Sequence, residues 1–244
     1  MGYTRRSCNF NKESRENGVA VPVTPVAEES AIPSGGAAPA VPVDCKVIYN
    51  TTNFTNDYRL STNFTLGMLI DGGVNGKHKL VDQMLQDTAK GQLRQYTVQE
   101  VVCNLAMVAQ NILEPMLEIL PGGIGGYKKT WKINSGYRLK GVVPQESPTS
   151  DHCKGQAIDI GLVNSTYDKL YNLVVSAEKI LPYDQIILEY RYPSSHWMHV
   201  SYKMDARRKM AFTMVNDKTY KRNTAGVPQG FYLLDQIPQQ NRTA

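Results

Sequence analysis

From Val98 to Leu120, Val101, Val102, Leu105, Val108, Ala109, Ile112, Leu113 and Met116 recur every three or four residues. That is the period of a helix with one face in a core. Thr97 and Glu100 stand before it with the spacing of a capping box, in which each side chain bonds the other residue's backbone N–H. Pro115 lacks an N–H and is expected to kink or divide the helix, and the PGGIGG run at 121–126 to stop it. A helix is also expected over about 166–181, with Leu170, Leu173, Val174, Ala177 and Ile180 inward. Another is expected near 77–90, with Leu80, Val81, Met84 and Leu85 on one face. Short β-leaning runs are Val47–Tyr49, Phe64–Ile70, Thr130–Asn134, Ala157–Leu162, Asp184–Tyr190 and Trp197–Tyr202. Helices first, then strands around one inserted helix, predict an α+β fold with helices packed on a small antiparallel sheet.

The flanks read differently. Residues 17–44 are rich in proline and small residues, the composition of an extended linker. Residues 204–244 begin with the basic run Arg207, Arg208, Lys209 and continue rich in Gln, Asn and Pro. The expected division is an N-terminal arm over 1–44, a domain over 45–203 and a C-terminal extension over 204–244.

Composition narrows the function classes. The chain has 244 residues, 41% of them hydrophobic, enough for one sizeable core. Its formal charge of +5 suits anionic surfaces such as cell-wall polymers, and is too small and too spread out to indicate nucleic acid. No stretch approaches the ~20 apolar residues of a membrane helix. Arg5 and Arg6 are followed by polar sequence where a signal peptide has its apolar core. Synthesis in a cytoplasm without a secretion signal is therefore the expectation. Cys8, Cys45, Cys103 and Cys153 form no CxxC pair, which argues against a cysteine-rich zinc site; Cys103 is expected in the core.

Three of the four histidines fall in two short segments, Ser150 to Asp159 and His196 to His199. His152, Asp159 and His199 offer two imidazoles and one carboxylate, a set that zinc accepts while keeping a fourth position open. Gly155 lets the chain turn between the first two. Asp159 interrupts the apolar run Ala157–Ile160, where an unpaired carboxylate is costly and a metal removes the cost. Spacing alone leaves a second reading open: a surface histidine, and an aspartate paired with a nearby Lys or Arg.

Several segments occur in order: Ser135-Gly136-Tyr137-Arg138; Ser150-x-His152-x-x-Gly155-x-Ala157-x-Asp159; Asp184-Gln185-Ile186-Ile187-x-Glu189; and Trp197-x-His199-Val200-Ser201. Together they resemble the M15 family of zinc D-Ala-D-Ala carboxypeptidases and endolysins, most closely its bacteriophage branch. Upstream, Asn63 to Leu66, Asn104-Leu105 and Leu113 to Pro115 resemble that branch's entry helices, so the likeness covers about 58–203. It implies a hedgehog/D-Ala-D-Ala peptidase-like fold and a Zn2+ cofactor on His152, Asp159 and His199. The implied substrate is the peptide part of peptidoglycan.

The resemblance also implies roles. Arg138 matches an arginine that holds substrate or the polarised carbonyl, with a structural salt bridge as the alternative. Ser150 matches a serine that bonds substrate or orients its loop; Ser135 and Tyr137 read as scaffold. Hydrolysis needs a group that takes water's proton and passes it to the leaving amine. Relatives often carry Asp or Glu three residues before the last histidine ligand, and here that position is His196. Glu189 is the preferred base and His196 a second acid/base group. A wall enzyme without a signal leaves its host cell by lysis or in a virus particle. A virion-borne enzyme at a phage tail or baseplate, with its arms contacting other virion proteins, follows from the likeness. The alternative is a non-catalytic virion protein that retains the zinc site, as the hedgehog signalling domain does without being a peptidase.

Overall fold

The computed structural model describes residues 43–70, 96–138, 150–205, 207–220, 230–237 and 239. The helices are α1 (Cys45–Tyr49), α2 (Leu66–Ile70), α3 (Val98–Val108), α4 (Glu114–Met116) and α5 (Tyr167–Ile180). The strands are β1 (Trp131–Ser135), β2 (Ala157–Leu162), β3 (Gln185–Arg191), β4 (Ser195–Ser201), β5 (Met210–Val215) and β6 (Lys218–Tyr220). They form one sheet in the order β1-β2-β4-β3-β5-β6. The fold is α+β. The sheet is mixed rather than purely antiparallel, because β5 returns parallel to β3 after the chain leaves β4. Among the described residues no helix is long and apolar enough to cross a membrane.

Two of the predicted helices form, but the first ends at Met116 rather than Leu120, and Ile180 of the second, expected inward, is exposed. Thr97 accepts from the backbone N–H of Glu100, and the Glu100 carboxylate accepts from that of Thr97 at 2.6 Å. Beyond Val108 the helix widens into a π-helical turn, Ala109–Leu113, directly before Pro115. Proline cannot donate to the carbonyl four residues back and its ring crowds it, so the widened turn accommodates the residue that the sequence marks as a breaker. Thr166 caps α5, whose Leu170, Leu173, Val174 and Ala177 are buried. The helix expected near 77–90 lies outside the described residues.

Two β-leaning runs are helical instead. Asp44 caps α1 by accepting from Lys46 N, and only Ile48 of that turn is buried. In α2, Leu66, Leu69 and Ile70 are buried at three- and four-residue spacing, which is helical. Runs this short carry too little periodicity to decide between helix and strand. Cys103 is buried as expected, but it is bonded to Cys45, tying α1 to α3.

The sheet also continues past residue 203. β5 lies against β3, and Asn216-Asp217 turns the chain into β6 with both residues at positive φ, the geometry of a two-residue hairpin loop. Phe231 and Ile237 then join the core. One face of the sheet carries Ile158, Ile160, Ile186, Leu188, Met198 and Val200 into that core with the helices. The opposite face carries the candidate site.

Candidate metal site

Strand alternation fixes half the site. Asp159 on β2 is paired directly with His199 on β4, and His199 with Ile187 on β3. Residues paired across strands share a face, so Asp159 and His199 emerge side by side from the middle of the sheet. Glu189 is paired with Trp197, two residues from His199, and therefore stands on the same face one strand over.

The other half arrives from irregular backbone. Between Ile133 and Ser135 the pairing of β1 with β2 slips by one residue: Ile133 faces Ile160, and Ser135 faces Asp159. This bulge turns the chain from the core face to the site face and brings the Gly136 carbonyl and Arg138 there, while Tyr137 packs in the core. At Gly136 a Cβ would stand 1.7 Å from the carbonyl oxygen of Leu69, so only glycine fits against α2. His152 sits on a 3-10 turn, Asp151–Lys154, closed by Gly155 at φ 72°. A Cβ on Gly155 would also meet the Val101 carbonyl oxygen at 2.7 Å, and Asn104 donates to the Lys154 carbonyl at 2.9 Å. Helix α3 thus presses the turn into place.

These pieces converge. His152 Nε2 lies 3.1 Å from Asp159 Oδ1 and 3.1 Å from His199 Nδ1, and His199 Nδ1 lies 3.0 Å from Asp159 Oδ1. All three residues are buried. His152 Nδ1 is 2.7 Å from the Gly136 carbonyl. A carbonyl only accepts, so Nδ1 carries the proton and Nε2 presents its lone pair to the cluster. That lone pair faces a carboxylate oxygen, an unfavourable meeting that a cation relieves. The three residues are positioned to hold a metal ion. Cys153, next to His152, does not join them.

The surrounding charges agree with this. In the metal-free cluster protons on the imidazoles take the cation's part: burial works to raise the Asp159 carboxyl, but the charge and donated hydrogen bonds of protonated His152 and His199 outweigh it and hold it well below the usual carboxylate range. Arg138 Nη1 lies 3.6 Å from Asp159 Oδ2, so the guanidinium flanks the cluster. Glu189 goes the other way: burial first, then the negative charge of Asp159, pushes its carboxyl up to about 7. A carboxyl that exchanges protons near neutral pH has the property general acid–base work requires.

His196 is not brought to the site. It is a residue of β4 three positions before His199, and positions three apart on a strand point to opposite faces. Its ring stacks on Tyr190 at 6.4 Å and meets Tyr167 edge-on at 6.3 Å. The sequence reading begins this strand at Trp197, which hides the parity; the strand starts at Ser195. Ser150 stands two residues before His152, where its carbonyl accepts from Cys153 N at 3.2 Å as the turn begins. Asp184, Lys203 and Arg208 were assigned no role from sequence, yet they form a charge network beneath the His152 turn; spacing offers no signal for it. No family model matches the chain, and no curated protein matches it.

Proposed function

We propose that the chain is a zinc-dependent peptidase that cleaves the peptide part of bacterial peptidoglycan. The observation that carries this reading is the convergence of two imidazoles and a carboxylate at 3.0–3.1 Å on a buried face shared with Glu189. Around a tetrahedral zinc with bonds of about 2.0–2.1 Å, ligand atoms stand roughly 3.3 Å apart, so the set fits zinc with a small outward adjustment. The resemblance of the quoted segments to the M15 peptidases supports both the metal and the substrate class.

When bound, zinc supplies Lewis acidity, polarising a carbonyl and making water acidic enough to attack it near neutral pH. The chain's own residues divide the rest. His152, oriented through Gly136, and the sheet-borne Asp159 and His199 hold the ion. Glu189, on the same face one strand over from His199, takes the proton of the attacking water and delivers it to the leaving amine. Arg138 offers its guanidinium to a substrate carboxylate or to the developing oxyanion, and Ser150 bonds substrate beside it. A virion-borne enzyme at a phage tail or baseplate, opening the wall locally, is the setting we propose.

One observation favours a second reading, a non-catalytic virion protein that keeps the metal. Position 196, where relatives often carry an acid, is a histidine packed among tyrosines on the far face. Amine release from purified peptidoglycan separates the two. The enzyme reading expects new amino groups with zinc-loaded protein, none after chelation, and recovery when zinc is returned. A zinc-loaded chain that releases none is the non-catalytic protein.

A further inference from the structure

We infer that Lys203 and Arg208 are positioning residues for the metal site: with Asp184 they clamp the turn that presents His152.

The three metal-ligating side chains are not held alike. Asp159 and His199 are fixed by direct strand pairing. His152 rides on a turn of four residues, so whatever fixes that turn decides whether the third donor is in place. Its first residue, Asp151, is tied from below. Lys203 Nζ lies 3.1 Å from Asp151 Oδ2 and 2.8 Å from Asp184 Oδ2, so one ammonium bridges two carboxylates. Asp184 is fully buried. It also accepts from the Arg208 backbone N–H at 2.8 Å, from Nε at 3.1 Å and from Nη2 at 2.5 Å. Arg208 Nη2 reaches on to Asp151 Oδ2 at 3.8 Å. Lys154 closes the ring on Asp151 Oδ1 at 2.9 Å.

Burial separates this from an ordinary surface pair. Exposed ion pairs contribute little, whereas a buried carboxylate with several charge-assisted donors has one favourable arrangement. Asp184 leads into β3, and Lys203 and Arg208 follow β4, so the network refers the turn to the strands that carry His199 and Glu189. The backbone joins in: Gln156 N donates to Asp151 O, and Tyr202 N to Gln156 O, each at 2.9 Å. The segment after residue 203, which the sequence assigns to an extension outside the domain, thereby supports a metal ligand.

This inference rests on the metal reading but not on hydrolysis, so metal affinity in the full chain tests it. Zinc affinity is measured by competition with a chelator, and the ligand field by the absorption of the cobalt-substituted protein. Groups supporting metal ligands typically contribute about 10–100-fold in affinity. Lys203→Met is expected to lose affinity on that scale and to alter the cobalt spectrum, with the far-UV circular dichroism of the metal-free protein unchanged. Lys203→Arg should recover most of both. Asp151→Asn releases only the turn's end of the network, and serves if Lys203→Met does not fold. Asp217→Asn, which breaks an exposed pair with Arg191, should leave affinity unchanged. The inference is overturned if folded Lys203→Met or Asp151→Asn binds zinc like wild type, or if Asp217→Asn loses as much. A wild-type chain without zinc affinity instead sinks the metal reading itself.

Discussion

Asp159 and His199 reach the site from the middle of paired strands, whereas His152 and Arg138 reach it from a 3-10 turn and from the chain past a bulge. The strand-borne pair is held by the register of the whole sheet: moving either residue requires a slip that would turn every side chain of its strand over. The turn-borne pair is held by many local devices at once. These are a left-handed glycine, a glycine against α2, a carbonyl on His152 Nδ1, and a charge network. Two donors are thus set by the register of the sheet and the third by local contacts, so the third can be disturbed without disturbing the sheet. The strand side should therefore fail with the fold, and the turn side should fail locally.

The largest effect expected is on the strand side. Truncation after Asp205 removes β5, the inner neighbour of β3, with its buried Ala211, Phe212 and Val215. Urea denaturation of the truncated chain should show no cooperative transition. A cooperative transition like that of the full chain would mean that the sheet does not depend on β5.

Next comes the division of labour within the sheet. Glu189→Gln should retain zinc and fold while losing about 10²–10⁴-fold in peptidoglycan turnover, the usual worth of a positioned proton transfer. His196→Ala, on the other face, should change turnover far less. Equal losses would erase the distinction between the faces.

Glu189 also makes a pH prediction for the metal-free protein. Its carboxyl is raised from 4.5 to about 7 on folding, so the folded state holds the proton more tightly than the unfolded chain does. The resulting stabilisation is fully present below pH 4.5 and is lost as pH rises through about 7. Glu189→Gln should flatten that decline in a series of thermal melts, and zinc, which favours the charged carboxylate, should suppress it. A decline unchanged in Glu189→Gln belongs to another group.

On the turn side, Gly155→Ala places a Cβ at φ 72° and 2.7 Å from the Val101 carbonyl oxygen. A non-glycine residue in that region costs on the order of 1–3 kcal/mol. Zinc affinity should fall more than this loss in global stability explains, because the strain lands on the turn that carries His152. A loss of stability with no loss of affinity would show that the turn's geometry does not set the site.

The same contrast governs what could be read from the sequence. β2 was legible to the residue because Ala157–Leu162 is an apolar run long enough to be a strand, and the buried Asp159 within it announced a partner. α5 was legible from its period. The ligands were legible as chemistry, since two imidazoles and a core carboxylate need something to share. The face of His196 was not, because two residues at a strand's start decide whether position 196 obeys its alternation. α1 and α2 were too short for their period to speak. β5 and β6 were hidden behind the basic run at 207–209, although the two-residue Asn216-Asp217 loop marks the hairpin. The Cys45–Cys103 bond and the Asp184 network join residues distant in the chain, and sequence spacing carries no information about either.

Metal content tests the centre most directly. Full-length protein produced in zinc-containing medium and dialysed exhaustively should hold about one zinc per chain, and Asp159→Ala and His199→Ala, folded by circular dichroism, should hold none. A wild type without zinc, or variants that keep it, would contradict a metal site at His152, Asp159 and His199.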